Sequence, residues 1–345
     1  PMIDQSLTFY TGAYHFIGDD GKLQRLPVPE SADLAGFYAG RILFTLRDAW
    51  EVAGQTFPQG ALLAIDAAVF QATGELPRVE MIYTPDDRTS IEGVTVSRSG
   101  LYVSLLQNVK GRILRFGVDA KSGKWNAEPL PLPDNGTVSL SAANPHSKTV
   151  LVNYEDHITP DQLSEYDAGA NALTLLKSLP PRFRADGLQV SQHTVRSADG
   201  ETVPYFVIHR KGLKPDGSTP TILYGYGGFE ISLKPSYSAT IGKLWLERGG
   251  AYAVANIRGG GEFGPRWHKA ALKTNRQRAY DDFIAVAEDL AKRGITSPKR
   301  LGISGGSNGG LLVGAIFTQR PDLMNAVVCR LPLLVMMRYS KLLPI

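Results

Sequence analysis

Short apolar segments recur along the first half of the chain, and turn-forming residues separate them. Turns such as Pro58-Gln59-Gly60 and Asp134-Asn135-Gly136 lie between these segments. Closely spaced short strands of this kind predict a sandwich, a barrel or a propeller. No repeat motif is sharp enough to choose among the three. The clearest strand segments are residues 41–46, 61–66, 101–106, 112–116 and 149–154.

The pattern changes between residues 180 and 200, where Pro180-Pro181 interrupts the chain and residues 197–200 predict a turn. Beyond this point, continuous apolar strands alternate with helices, which is typical of a mostly parallel, doubly wound α/β sheet. The sequence therefore predicts two domains, an all-β domain over residues 1–185 and an α/β domain over residues 186–345. The expected strands of the second domain are residues 205–208, 221–224, 252–257 and 301–304, and the expected helices are residues 276–293 and 311–318.

Composition and charge narrow the classes of function. The 345 residues carry 37 Lys and Arg against 33 Asp and Glu, and the basic residues are scattered, so a nucleic-acid partner is not expected. The single cysteine excludes an internal disulfide framework and a metal site built from several cysteines. The chain has no apolar run of about 18 residues, so we expect no membrane span. The first residues lack the pattern of a signal peptide, and we expect a cytoplasmic protein.

A glycine-rich turn separates the predicted strand at 301–304 from the predicted helix at 311–318. Residues 305–310 read GGSNGG and satisfy the G-x-S-x-G pattern of a nucleophile elbow, with Ser307 at its centre. In such an elbow the serine occupies a strained turn, and side chains at the flanking glycines would collide with the strand and the helix. The backbone N–H of Asn308 would donate to an oxyanion. This context favours a hydrolase elbow over a structural Gly-Ser turn.

Two other motifs invite a functional interpretation that their chemistry does not support. Arg258-Gly259-Gly260-Gly261 resembles a phosphate loop, but it lacks the G-K-[ST] ending, and we expect it to shape the wall above the sheet. Asp281-Asp282 suggests a metal site. A solvated charge pair near a helix N-terminus, favoured by the helix dipole, is the better explanation.

Three stretches of the second domain resemble the catalytic domain of the prolyl oligopeptidase family. The resemblance extends over roughly residues 197 to 329, whereas residues 1–185 fit that family's β-propeller only loosely. It implies a partial β-propeller over residues 1–185, followed by a partial α/β-hydrolase catalytic domain over residues 186–345. The matching stretches are residues 223–229 (LYGYGGF), residues 255–264 (ANIRGGGEFG) with Trp267-His268, and residues 297–301 (SPKRL), 305–312 (GGSNGGLL) and 319–323 (QRPDL).

The resemblance implies roles for individual residues. Ser307 would be the acylating nucleophile, and Tyr226 would match the tyrosine whose hydroxyl joins the Asn308 N–H in the oxyanion hole. Phe229 would line the pocket for a substrate proline, because a flat apolar face suits a pyrrolidine ring. A loop aromatic packed on the sheet is the alternative for Tyr226, and an ordinary buried phenylalanine is the alternative for Phe229. Such an enzyme would cleave short peptides after proline without a metal or a cofactor.

The chain lacks the rest of the expected catalytic triad. In the α/β-hydrolase order an Asp and then a His follow the serine, but none of the 38 residues after Ser307 is His, and the only Asp is Asp322. Among the six histidines, all before Ser307, His268 lies in a family-like loop; a solvent-exposed or structural role is the alternative to a substitute base.

We therefore expect an internal fragment, a truncated gene model or a degenerate copy. The chain stops abruptly at Leu342-Leu343-Pro344-Ile345, and its first domain is long enough for about four propeller blades. The strand before Ser307 would lie at an unprotected sheet edge, and the chain alone would be poorly soluble.

Two further interpretations stay open from the sequence. A serine hydrolase of the same fold with another specificity, such as an acylaminoacyl or basic-residue peptidase or an esterase, fits the same elbow. A non-catalytic binding or regulatory protein derived from a peptidase fits the missing Asp and His. Retention of Ser307, Asn308 and Tyr226 counts against the second, because an inactive protein has no chemical need for them.

Overall fold

The computed structural model describes residues 2–18, 21–119 and 121–341, and the side chains of residues 339 and 340 are not described. The closing run Leu342-Leu343-Pro344-Ile345 therefore lies outside the described residues.

The first domain is built from antiparallel sheets that follow one another along the chain. β1 to β3 form a three-stranded sheet, and three four-stranded sheets follow in the orders β4-β5-β8-β9, β10-β11-β12-β13 and β14-β15-β16-β17. A hairpin, β6-β7, and the helix α1 (Ala67–Thr73) are inserted around β8. The strands are β1 Met2–Ser6, β2 Gly12–Ile17, β3 Leu23–Arg25, β4 Ala32–Tyr38, β5 Arg41–Leu46, β6 Trp50–Val52, β7 Gln55–Phe57, β8 Leu62–Asp66, β9 Glu80–Tyr83, β10 Thr89–Ser97, β11 Gly100–Gln107, β12 Lys110–Val118, β13 Trp125–Pro129, β14 Thr137–Ala142, β15 Val150–Glu155, β16 Gln162–Asp167 and β17 Ala172–Ser178.

These sheets stack face to face, as the blades of a propeller do. Along β11, Leu101 and Val103 pack against residues of β5 and β8, whereas Tyr102 packs against Val150 and Val152 of β15. Successive side chains of a strand point to opposite faces, so β11 is buried on both faces between its two neighbouring sheets. The propeller prediction is confirmed, and each of the five predicted strand segments falls on an observed strand.

The second domain is a six-stranded sheet of order β18-β19-β21-β20-β22-β23. The pairs β18–β19 and β19–β21 are antiparallel, and the pairs β21–β20, β20–β22 and β22–β23 are parallel. The mostly parallel α/β fold is therefore confirmed. Its strands are β18 Leu188–Arg196, β19 Thr202–Arg210, β20 Thr221–Tyr224, β21 Ala251–Ala255, β22 Leu301–Gly306 and β23 Ala326–Arg330. Its helices are α2 Ala239–Ile241, which continues into a π-helical turn Gly242–Leu246, α3 Gly264–Lys269, α4 Gln277–Lys292 and α5 Asn308–Gln319, with 3₁₀ turns at Lys273–Asn275, Pro321–Leu323 and Met336–Lys341.

Helices α4 and α5 cover one face of this sheet. The apolar stripe of α4, including Phe283 and Leu290, is buried against the strands and against Leu312 and Ile316 of α5. The helix ends where Gly294 adopts φ +67°, close to the sequence prediction. Helix α5 instead begins at Asn308, three residues earlier than predicted, so it starts directly after Ser307.

The expectation that the strand before Ser307 lies at a sheet edge is wrong. The chain returns after α5, and β23 pairs in parallel with β22 along five residues, so β22 is internal to the sheet. β23 pairs with no second strand among the described residues, and Val328 on it is 54% exposed.

None of the helices in the described ranges is long and apolar enough to cross a membrane.

The last propeller strand ends at Ser178, and the first strand of the α/β sheet begins at Leu188. The predicted domain boundary, between residues 185 and 186, falls in the segment between these two strands. That the two parts are separate domains stays a proposal.

Candidate active site

Ser307 lies on a strained turn between β22 and α5. Its backbone has φ +55° and ψ −116°, a conformation that residues with a side chain rarely adopt, and its side chain is exposed. The turn is held from both sides, because the Ser307 N–H donates to the Arg330 carbonyl at 2.9 Å and the Gly310 N–H donates to the Ser307 carbonyl at 2.8 Å. A Cβ atom on Gly305 would lie 2.1 Å from the Gly309 carbonyl oxygen, so this crossing requires glycine.

Asn308 connects the elbow to the segment that carries Tyr226. The Asn308 N–H belongs to the first residue of α5, where backbone N–H groups have no intrahelical acceptor. The side-chain Nδ2 of Asn308 donates to the Tyr226 carbonyl at 2.6 Å. Gly228 allows this close approach, because a Cβ atom there would lie 2.4 Å from Asn308 Nδ2. The structure therefore brings Ser307, Asn308 and Tyr226 together.

The hydroxyl of Tyr226 lies beside Ser307. Burial raises the pKa of Tyr226 above its usual value, and a hydrogen bond with Ser307 and the positive charge of Arg276 only partly oppose this effect. The phenol is therefore protonated at neutral pH and keeps a proton to donate. A neutral O–H beside the serine hydroxyl and the first N–H groups of a helix can together stabilise a negatively charged oxygen.

Phe229 lies three residues after Tyr226, and its ring is exposed to solvent. The side chain is 50% exposed, so the alternative of an ordinary buried phenylalanine is wrong. Phe229 and Glu230 have φ values of +53° and +58°, two successive left-handed residues that turn the chain outward. The ring meets that of Phe9 edge to face, with 6.2 Å between centroids. An exposed aromatic pair is thus formed across the two domains.

The first domain holds this turn through Arg47. Its guanidinium pairs with the Glu230 carboxylate and lies over the Tyr10 ring, 4.5 Å from the centroid. The Glu230 N–H lies 3.0 Å from Nδ1 of His268 and 3.2 Å from the Gly259 carbonyl oxygen. Sequence reasoning missed Phe9, Tyr10 and Arg47, because they precede Glu230 by about 180 to 220 positions and no local motif marks them.

The prediction that Asp281 and Asp282 form a solvated charge pair is wrong for Asp282. Asp282 is fully buried, and its two oxygens accept hydrogen bonds from Arg258 Nη2 at 2.6 Å and Nε at 2.9 Å. Arg258 also pairs with Asp199 in the β18–β19 turn. A carboxylate in the sixth position of α4 points inward on the stripe that packs on the sheet, and only a buried cation makes that placement tolerable.

Glu262 lies fully buried beside the same loop. Its Oε1 accepts from the Leu233 N–H at 3.0 Å and from Asn256 Nδ2 at 3.3 Å, whereas its Oε2 has no hydrogen-bond partner among the described residues. Burial raises the pKa of Glu262 to about 7, against the opposing effect of these hydrogen bonds. The propeller residue Ser90 donates to the Glu262 carbonyl at 3.3 Å, so this acid lies at the boundary between the domains.

A cavity of 640 Å³ opens at that boundary, next to Glu230. Charged side chains of both signs and from both domains line it, among them Asp33, Glu92, Lys234 and Arg266. Such a lining can accommodate a polar chain such as a peptide backbone. In the described part of the chain, no group of three or more His, Cys, Asp or Glu side chains is arranged to hold a metal ion.

A serine nucleophile needs a base within hydrogen-bond distance. In the described ranges no histidine side chain is hydrogen-bonded to Ser307. His268 is buried, with its Nδ1 2.8 Å from the Gly259 carbonyl oxygen and its ring centroid 5.4 Å from that of Tyr10. These contacts match the structural alternative for His268.

Comparisons with known proteins agree with this geometry. A family profile described as "Prolyl oligopeptidase family" matches residues 235–343, and one described as "Prolyl oligopeptidase, N-terminal beta-propeller domain" matches residues 52–179. The first match contains the elbow, and the second contains most of the propeller strands.

Individual proteins that are similar to this chain are also peptidases. An uncharacterized peptidase of Sinorhizobium fredii, y4nA, is 46% identical over 99% of this chain and 46% of its own length. A prolyl endopeptidase of Elizabethkingia meningoseptica is 40% identical over 64% of this chain and 31% of its own length. Among solved structures, a post-proline cleaving enzyme from Rickettsia typhi superimposes with a TM-score of 0.90 at 32% identity, covering 99% of this chain and 50% of that one. The chain thus spans half or less of the length of these relatives.

Proposed function

Because this chain belongs to the prolyl oligopeptidase family, we propose that it acts as a serine peptidase that cleaves short peptides on the carboxyl side of proline, with Ser307 as its nucleophile. The observation that carries the proposal is the backbone of Ser307, at φ +55° and ψ −116°. It presents an exposed hydroxyl at the carboxyl end of a parallel strand, beside the hydroxyl of Tyr226 and the first N–H of a helix.

The reaction proposed for this site is an acyl transfer in two steps. Ser307 Oγ attacks the carbonyl carbon of the scissile bond while a base removes its proton, and the carbonyl oxygen becomes an oxyanion. The Asn308 N–H and the Tyr226 hydroxyl donate hydrogen bonds to that oxyanion. The amine product leaves with a proton, and water then hydrolyses the ester on Ser307 to restore the free hydroxyl.

Phe229 is the proposed residue for recognition of proline. Its exposed ring stands three residues after Tyr226 and offers a flat apolar surface to a pyrrolidine ring. One similar protein is a prolyl endopeptidase and another is a post-proline cleaving enzyme, which supports this specificity. Short peptides as partners and a cytoplasmic location stay predictions.

On this proposal the general base comes either from a histidine that precedes Ser307 or from sequence beyond these 345 residues. The second source is preferred, since the relatives are at least about twice as long as the part that this chain matches and no described histidine bonds to Ser307. A protein that binds peptides without cleaving them is the rival function that the missing base favours.

Labelling with a fluorophosphonate probe tests the nucleophile. The chain, its Ser307→Ala variant and a version extended with the downstream sequence of the gene are each treated with the probe, and the adduct is located by mass spectrometry. We expect weak or no labelling of the chain and strong labelling at Ser307 in the extended protein. Absence of labelling in both would favour the peptide-binding rival, and strong labelling of the chain alone would place the base within it.

Fluorogenic peptides test the specificity. We expect the active form to prefer proline over alanine before the scissile bond, and Phe229→Ala to reduce that preference about tenfold. Phe37→Ala is the matched control, because Phe37 is a comparably exposed phenylalanine on the propeller strand β4. Equal cleavage after proline and alanine would refute the assigned specificity while leaving the serine mechanism intact.

A further inference from the structure

Arg276 links the two segments that carry the oxyanion donors. It lies one residue before α4, and its guanidinium extends to Gly227, three residues after the end of β20. Nη1 donates to the Gly227 carbonyl, and Nη2 lies 3.4 Å from Oδ1 of Asn308. Asn308 Nδ2 in turn donates to the Tyr226 carbonyl at 2.6 Å. One planar fork therefore contacts the loop that carries Tyr226 and the side chain of Asn308, the residue directly after Ser307.

The charge of Arg276 is not neutralised by a carboxylate. Among the described residues Arg276 forms no ion pair, whereas the neighbouring Arg258 pairs with Asp282 and Asp199 and Arg278 also pairs with Asp199. The guanidinium of Arg276 lies over the Tyr280 ring at 5.3 Å, and its Nε is buried without a partner. A half-buried cation is weakly screened by solvent, so its field extends to nearby atoms.

We propose that Arg276 is a positioning residue of the oxyanion site, which holds the Tyr226 hydroxyl and the Asn308 N–H in register and adds positive charge behind them. The role rests on the proposed peptidase function, and it does not require Arg276 to touch the substrate. Two donors stabilise one oxyanion only if both lie within hydrogen-bond distance of the same oxygen atom. The guanidinium fork suits this task, because it presents several donors in one plane.

A purely structural role for Arg276 and the proposed positioning role predict different effects on the pKa of Tyr226 when Arg276 is substituted. A loop anchor would affect stability without changing the electrostatics at Tyr226. A positioning cation would do both, because its charge favours the phenolate form of Tyr226, and removal of that charge would raise the pKa of this tyrosine. Titration of Tyr226 therefore separates the two roles, and it needs no catalytic base.

The test uses fluorine NMR of the 345-residue chain labelled with 3-fluorotyrosine, whose phenol ionises at a lower pH than that of tyrosine. The Tyr226 signal is assigned by its loss in Tyr226→Phe. We expect Arg276→Met to raise the pKa of the fluorotyrosine at position 226, and Arg276→Lys to keep it close to the unsubstituted value because the charge is retained. Arg278→Met is the matched control, since that guanidinium pairs with Asp199 instead, and it should leave this pKa unchanged.

Arg276→Gln, which is neutral but keeps one amide donor, replaces Arg276→Met if the latter fails to fold. An unchanged pKa at position 226 in the folded neutral variant would overturn the proposal. In the peptide assay of the active form, we further expect Arg276→Met to lower kcat about 10- to 100-fold while KM changes less than about threefold. A raised KM with unchanged kcat would also overturn it. Because the titration does not depend on cleavage, a peptidase assay that fails while the pKa shift is present would count against the proposed function alone.

Discussion

Asp282 and Arg258 form a buried, bidentate ion pair, with 2.6 Å between Asp282 Oδ1 and Arg258 Nη2. The two side chains are 0% and 4% exposed. The Arg258 N–H also donates to Asp282 Oδ2 at 2.9 Å, so the aspartate holds both the backbone and the side chain of the loop that begins at Arg258. This loop packs against Gly227, which follows Tyr226. The ion pair between Asp282 and Arg258 therefore helps to hold the segment that carries Tyr226.

Removal of one partner of this pair should be costly. We expect Asp282→Ala to lower the free energy of unfolding by about 3–5 kcal/mol, because the Arg258 charge would stay buried with only Asp199 to balance it. Denaturant unfolding followed by circular dichroism measures the loss. Asp281→Ala is the control, and it should change stability by less than about 0.5 kcal/mol, since among the described residues that carboxylate bonds to Gln277 alone, near the surface. Similar effects of the two substitutions would contradict the assigned role of Asp282.

The buried carboxyl of Glu262 should make stability depend on pH. Its pKa is about 7 in the folded protein and near 4.5 in an unfolded chain, so the folded state binds its proton more tightly. The stabilisation is fully present below pH 4.5 and is lost as the pH rises through 7. We therefore expect Glu262→Gln, which is always neutral, to be more stable than the unsubstituted chain by about 3 kcal/mol at pH 8 and by little at pH 4.

Thermal melts between pH 4 and pH 8 measure this difference for Glu262→Gln. Glu165→Gln, on an exposed position of β16, is the matched control and should show no such trend. A stability difference for Glu262→Gln that stays constant over this pH range would show that the carboxyl ionises as it does in water.

The pair formed by Arg47 and Glu230 should hold the turn at Phe229 in place. Both side chains are largely buried, at 14% and 17% exposure, and two successive left-handed residues store strain that this contact offsets. We expect Arg47→Met to increase amide hydrogen exchange over residues 226–232 about five- to thirtyfold, equivalent to ~1–2 kcal/mol.

Mass spectrometry of peptic fragments after exchange provides the measurement for Arg47→Met. Arg25→Met removes a solvent-exposed pair with Glu30 and serves as the control, with no change expected at residues 226–232. Unchanged protection in Arg47→Met would mean that the α/β domain holds the turn without help from the propeller.

The sheet edge at β23 should promote self-association of the chain. Val328 is 54% exposed on that strand, and it lines an apolar groove of 460 Å³ together with Ile222, Trp245 and Tyr252. A strand whose outer edge has no partner among the described residues, and which carries exposed valines, is a template for pairing with another chain. We expect light scattering at about 10 µM to detect oligomers of the chain and several-fold fewer of them in Val328→Lys. Val69→Lys, an exposed valine on α1, should have no effect, and a monodisperse chain would refute the prediction.

Local signals in the sequence were sufficient for much of the fold. The helical stripe around Phe283 and the glycine at 294 located α4 to within one residue at each end, because periodicity and capping are properties of neighbouring residues. The elbow at Ser307 was equally local, since a nucleophile turn needs glycine at fixed offsets from the serine. The segments of Tyr226 and Phe229 were found by their resemblance to a family, and their roles remain proposals.

By itself the sequence determined the class of fold, the order of its β and α/β parts and the turn that carries Ser307, because each depends on residues that are close together along the chain. Only the tertiary structure decided which faces of the propeller sheets pack together, that β23 covers β22, that Asp282 is buried under Arg258, and that Arg47 and Phe9 reach the turn at Phe229. Those relationships join residues up to about 220 positions apart. Their energies come from burial and charge pairing, and these exist only after the chain has folded.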